Sequence, residues 1–118
     1  MNVLRDDNGI DRIIQESVPG KQVTIAHIIA APMEEIYENL NMETRGAIGI
    51  LTLTPSETSI IAADIATKAA TVKIAFLDRS TGSLIITGDV QSVESALEAI
   101  TLVLYKDLGF DTVPITKT

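Results

Sequence analysis

The stretch from Gly46 to Val90 most constrains what this chain can become. Gly46-Ala47-Ile48-Gly49-Ile50-Leu51-Thr52-Leu53 is apolar and glycine-spaced, as a buried strand is. The glycines in it mark close packing or a bend rather than a phosphate loop, because Gly46-x-x-Gly49 lies within the strand. Thr54-Pro55-Ser56-Glu57 then carries three helix-starting signals: a hydroxyl for an N-cap, a proline for the first helical position, and a glutamate to close a capping box. The helix expected after it is built from Ala62, Ala63, Ala66, Ala69 and Ala70, with Ile60, Ile61 and Ile65 as its bulk. Small side chains let a helix lie close to a sheet or to another chain. Val72 to Leu77 and Ser83 to Thr87 read as two strands joined through Asp78-Arg79-Ser80-Thr81-Gly82, which is hairpin spacing.

The flanks extend this unit. Asp11 to Val18 reads as an extended strand, ended by the turn signal Pro19-Gly20. Lys21 to Ala30 alternates Val23, Ile25, His27 and Ile29 with Thr24, Ala26, Ile28 and Ala30, so both its faces are expected to be largely buried. Pro32 opens a short helix, with Glu34 and Glu35 near its positive end. After the central unit, Asp89 is the expected N-cap of a last helix whose stripe is Val93, Ala96, Leu97, Ile100, Val103 and Leu104. Gly109 is its stop. Strands and helices mix without strict alternation, which argues for an α+β sheet with helices on one face.

Chemistry is sparse. The chain has no cysteine and one histidine, so disulfides and thiolate chemistry are excluded and a transition-metal site is poorly supplied. His27, in an apolar strand, reads as a packed or hydrogen-bonded core histidine. No serine sits in a nucleophile-elbow pattern. No catalytic residue and no cofactor is expected. The net charge is −7 and the nine basic residues are scattered, which argues against nucleic acid as a partner. Charges and prolines interrupt every apolar run, and residues 1–10 lack an apolar signal core, so a cytoplasmic protein with no membrane partner is expected. Asp64 and Lys68 stand four apart on the small-residue helix and are placed to pair.

The order of Gly46-Ala47-Ile48-Gly49-Ile50, Ala63-Asp64, Lys68-Ala69-Ala70-Thr71-Val72 and Gly88-Asp89-Val90 resembles that of bacterial microcompartment shell proteins. The run Arg12-Ile13-Ile14-Gln15-Glu16-Ser17-Val18-Pro19-Gly20-Lys21-Gln22-Val23-Thr24 is similar to the start of the circularly permuted shell proteins of ethanolamine- and propanediol-utilisation compartments. Phe76-Leu77-Asp78-Arg79 and Leu53-Thr54-Pro55 fit the same subgroup. The resemblance implies a circularly permuted α+β domain of ferredoxin-like type, in which the usually last strand, here Lys21–Ala30, comes first. It implies a homohexamer that tiles a shell with other shell proteins around enzymes. It divides the chain into a flexible N-terminus (1–10), a strand of an oligomeric barrel (11–20), the shell domain (21–109) and a C-terminal tail (110–118).

The same resemblance assigns residues. Ile13, Ile14, Gln15, Glu16, Ser17 and Val18 would form one strand of a six-stranded barrel over the central pore. Arg79, Ser80, Thr81 and Gly82 would lie near that pore, and Lys68, with Asp64 beside it, at the hexamer edge. Two departures stand out: Thr71 replaces the family's asparagine, and Ala30-Ala31-Pro32 replaces a Pro-Arg-Pro segment. A second reading, of another class, is a small-molecule-binding regulatory domain of ferredoxin-like type, which needs no strand at 11–18.

Overall fold

The computed structural model describes residues 20–42 and 46–118. Their elements run β1 (Gln22–Ile29), α1 (Glu34–Asn39), β2 (Ala47–Thr54), α2 (Thr58–Ala69), β3 (Lys73–Asp78), β4 (Ser83–Gly88), α3 (Val90–Leu108) and β5 (Thr116–Lys117). The strands form one sheet in the order β3-β4-β2-β1-β5. The pairs β1–β2, β2–β4 and β3–β4 are antiparallel, and only β1–β5 is parallel. The expected α+β arrangement is present, with α2 and α3 packed side by side on one face of the sheet.

The core lies between that face and the two helices. Val23, Ala26 and Ile28 of β1, Ala47, Leu51 and Leu53 of β2, and Leu84 and Ile86 of β4 meet Ala62, Ala63 and Ala66 of α2 and Val93, Leu97, Ile100 and Leu104 of α3. The close approach of α3 depends on Gly49. A Cβ there would come within 2.8 Å of Val93 and 2.9 Å of Leu97, distances that real side chains do not tolerate without movement. α3 begins as expected, with the Asp89 carboxylate accepting the Ser92 N–H at 2.8 Å. It ends at Gly109 in the left-handed region, φ +74°.

Three expectations change. The capping box at Thr54 does not form: Thr54 is the last residue of β2, and α2 begins at Thr58 with no side-chain cap. The N–H groups of Thr58, Ser59 and Ile60 instead donate to the carbonyls of Pro55, Ser56 and Glu57. That tight first turn satisfies the donors a cap would have served. Secondly, β1 is not buried on both faces. A bulge between Val23 and Ile25 shifts the alternation, so Val23, Ala26 and Ile28 face the helices while Ile25 stays 47% exposed on the other face. Thirdly, residues 110–118 do not trail away. Phe110 is buried, Asp111 bridges to Gln22, and β5 adds to the sheet edge.

The face without helices is half covered. Tyr37 donates its hydroxyl to the Gly46 carbonyl at 2.7 Å, and Leu40, Asn41 and Met42 share a cleft with Lys73, Ile74, Ala75 and Thr87. The connection after α1 thus crosses one end of this face, the end at which Ile48 is fully buried. The other end, with Ile25, Thr52, Ser83 and Phe76, is left open.

Candidate assembly surfaces

The hairpin tip is held by its own backbone. Asp78 Oδ1 accepts the Ser80 N–H at 2.9 Å, and the Gly82 N–H donates to the Asp78 carbonyl at 2.9 Å. These contacts, the Ser80 N–H first and then the Thr81 hydroxyl, hold the Asp78 carboxyl below its ordinary range. Arg79, Ser80 and Thr81 are exposed, but Gly82 is buried. Gly82 has φ +79°, and a Cβ on it would lie 2.1 Å from the Leu53 carbonyl oxygen. Of the four tip residues, three present side chains outward, and Gly82 serves the turn by lying against the β2–α2 connection.

At the other end of β3 stands the second expected surface. Lys68 lies in the last turn of α2, where a cation also suits the helix dipole. Its Nζ is 2.9 Å from Asp64 Oδ2, and the Lys68 side chain is 75% exposed. β3 separates this pair from the hairpin tip, so the two surfaces lie at opposite ends of a six-residue strand, about 17–20 Å apart. The third, the barrel strand Ile13 to Val18, lies outside the described residues. The described chain starts at Gly20, and Lys21 Nζ donates to the Leu108 carbonyl at 3.2 Å and sits 5.9 Å from the centre of the Phe110 ring.

Two apolar surfaces were not anticipated. On α2 two of the three bulky residues point outward: Ile60 and Ile61 are each 46% exposed, while Ile65 packs partly against the core and the helix buries Ala62, Ala63 and Ala66 together with Thr58 and Ser59. Adjacency alone gave no signal for this, since the core-facing stripe is wide enough to bury the adjacent pairs Thr58–Ser59 and Ala62–Ala63. On the open end of the sheet, Ile25 and Phe76 are exposed beside Ile50 and Ile85. The bulges in β1 and β3 set which residues appear there, and strict alternation does not foresee a bulge.

His27 is half-buried and hydrogen-bonded through both ring nitrogens, Nδ1 to Thr116 Oγ1 at 2.6 Å and Nε2 to Thr118 Oγ1 at 2.9 Å. It therefore ties the sheet to β5. Among the described residues no group of three or more His, Cys, Asp or Glu side chains is gathered as a metal would need, and no helix is long and apolar enough to cross a membrane. What this arrangement can do is present shaped surfaces.

Comparison with known proteins agrees. The BMC domain matches residues 47–112. The microcompartment shell protein CutR of Streptococcus intermedius is 62% identical over 109 residues, covering 92% of this chain and 94% of that protein. The shell protein PduU of Salmonella typhimurium is 55% identical over the same length and share. A solved flat hexamer of CutR superposes with a TM-score of 0.83 at 60% identity, over 92% of this chain and all of that one. The domain match begins at β2, yet β1 pairs with β2 along its length and supplies Val23, Ala26 and Ile28 to the core. A strand that completes the domain from ahead of it is the arrangement expected of a circular permutation.

Proposed function

The chain belongs to the BMC domain family of bacterial microcompartment shell proteins, and on that premise we propose that it is a structural tile whose hexamers pack into the facets of a shell around metabolic enzymes. It is a building unit and not an enzyme, as its relatives are shell proteins. The observation that carries this reading is the likeness, across 92% of the chain, to a relative that forms a flat hexamer. The two unlike apolar surfaces support it. The α2 ridge at Ile60 and Ile61 and the open sheet end at Ile25 and Phe76 lie on different parts of one protomer. Contacts between unlike patches are heterologous, and they close into a ring when the rotation allows. The regulatory-domain reading finds no support among these relatives.

Within the ring we assign the exposed residues Arg79, Ser80 and Thr81, with Gly82 shaping the turn, to the region of the central pore. Lys68, steadied by Asp64, is assigned to the hexamer edge, where it meets neighbouring tiles. Residues 11–20, with Ile13 to Val18 as the strand, are assigned to a six-stranded barrel over the pore. The partners are further copies, the other shell proteins of the compartment and the enzymes within it, and the place of action is the shell.

Light scattering of the whole chain and of a variant lacking residues 1–18 tests this. Both should have the mass of six chains. The shorter one should also let small molecules pass more readily through a reconstituted shell. A monomer at about tens of micromolar would refute the tile, since tight interfaces persist at such concentrations. An unfolded short variant would refute the barrel and place residues 11–18 in the main sheet.

A further inference from the structure

We propose that the free border of β3 on one protomer seats against the C-terminal side of the next, with Phe76 and Leu77 held on the two faces of the arch formed by residues 112–115. This rests on the tile reading and names the contact that closes the ring. β3 is a border strand, and no described strand pairs with its outer side. Such a border is normally kept short, charged or covered. Here Ile74, Phe76 and Leu77, three of the six residues, are each at least 40% exposed. Residues paired across strands share a face of the sheet. Phe76 pairs with Ile85 and shows on the open face, whereas Ile74 and Leu77 pair with the core residues Ile86 and Leu84 and show on the helix face. The border is thus apolar on both faces at once.

The opposite side of the protomer has the matching shape. The C-terminal segment meets β1 at Asp111 and again at Thr116, and between these anchors it arches away. The arch has a groove on each face. On the open face, a groove of ≈ 360 Å³ lies between Val113 and Pro114 of the arch and Ile25 and His27 of β1. On the helix face, one of ≈ 430 Å³ lies between the same arch residues and Leu102 and Tyr105 of α3. Height along the strands agrees too. Pairing runs from Phe76 through Ile85, Ile50 and His27 to Thr116 in one row, so Phe76 and the end of the arch stand level on opposite borders. The charges are complementary. Lys73 opens β3, Arg79 follows it, and Glu98 lines the larger groove; none of the three has a partner among the described residues. With the hairpin tip at the pore and Lys68 at the outer edge, β3 runs along a radius of the ring. Its free border then faces the next copy, and a contact between unlike borders repeats head to tail until the ring closes.

The chain has no cysteine of its own, so introduced thiols report the contact. Within one protomer four strand spacings, about 19 Å, separate the borders that carry Phe76 and Pro114, too far for a short bis-maleimide. A chain with Phe76→Cys and Pro114→Cys should therefore give a ladder of two to six linked chains on a denaturing gel. Co-expressed chains, one tagged and carrying Leu77→Cys, the other carrying Leu102→Cys, should link as unlike pairs and not as like ones. Phe76→Glu with Leu77→Glu should keep the far-UV spectrum, since both side chains are exposed, and lower the light-scattering mass from six chains to one. A parent chain with the mass of one chain would refute the tile and this contact together. A six-chain parent that links in neither pairing, or that keeps its mass with both glutamates, would overturn the contact and leave the tile standing.

Discussion

Gly49 and Gly82 are both places where a methyl group does not fit, but for different reasons. At Gly49 the obstructing atoms are side-chain ends, Val93 Cγ1, Leu97 Cδ1 and Ile86 Cγ1, at 2.8 to 3.0 Å. These can shift by tenths of an ångström. Gly49→Ala should therefore fold and lose about 1–3 kcal/mol, the usual penalty of overpacking. Adding Val93→Ala should return part of that loss in a double-mutant cycle. At Gly82 the obstruction is the Leu53 carbonyl, and the backbone is also left-handed. Gly82→Ala should be the more destabilising of the two by urea denaturation. Equal costs at the two sites would mean that the turn can reshape. Gly49 could be narrowed to close packing or a bend from sequence because it interrupts an apolar strand. The role of Gly82 could not, because its constraint comes from a strand about thirty residues earlier that sequence spacing does not bring beside it.

Elements show the same divide between local and non-local causes. α3 was readable because its signals are local: the Asp89 cap, the 3.6-residue stripe and the Gly109 stop all lie within the helix. The Asp89 cap is also testable by pH. The Ser92 N–H, and after it the Ser92 hydroxyl, holds this carboxyl below its ordinary value of 3.8. A depressed carboxyl stabilises above its unfolded value, and that stabilisation is lost as pH falls through the folded one. The melting temperature of Asp89→Ala should thus fall below that of the parent at neutral pH, and the gap should narrow once pH drops under 3.8. A gap independent of pH would show that the carboxylate charge plays no part. β1 and β5 were harder to read. The bulge at Thr24 exists because β1 must stay in register with β2, and no residue of β1 announces it. The segment 110–118 looks like a polar tail until Phe110 finds the core and Thr116 finds His27. At the start of α2 the local signals misled, since Thr54 was already committed to pairing with Gln22.

For the whole molecule, the distinction that matters is between contacts that make the protomer and contacts that join protomers. On the assignment proposed above, Lys68 belongs to the second kind. Its bond to Asp64 is an exposed i, i+4 pair, worth about 0.3–0.5 kcal/mol to the helix. Lys68→Ala should leave the folded mass and melting curve nearly unchanged while reducing extended sheets or tubes in electron micrographs. Unaltered sheets would remove Lys68 from the edge, and an unfolded variant would make it a folding residue instead. The sheet order carries one more consequence, for how the chain is made. His27 leaves the ribosome 91 residues ahead of Thr118, its hydrogen-bond partner on β5. At ordinary translation speeds of about 5–20 residues per second, the outer border of β1 goes without that partner for roughly 5–20 seconds. During that wait Gln22–Ile29 is an apolar, pairing-ready strand on a growing chain. The order of synthesis thus leaves this edge open to pairing with other chains until β5 has been made.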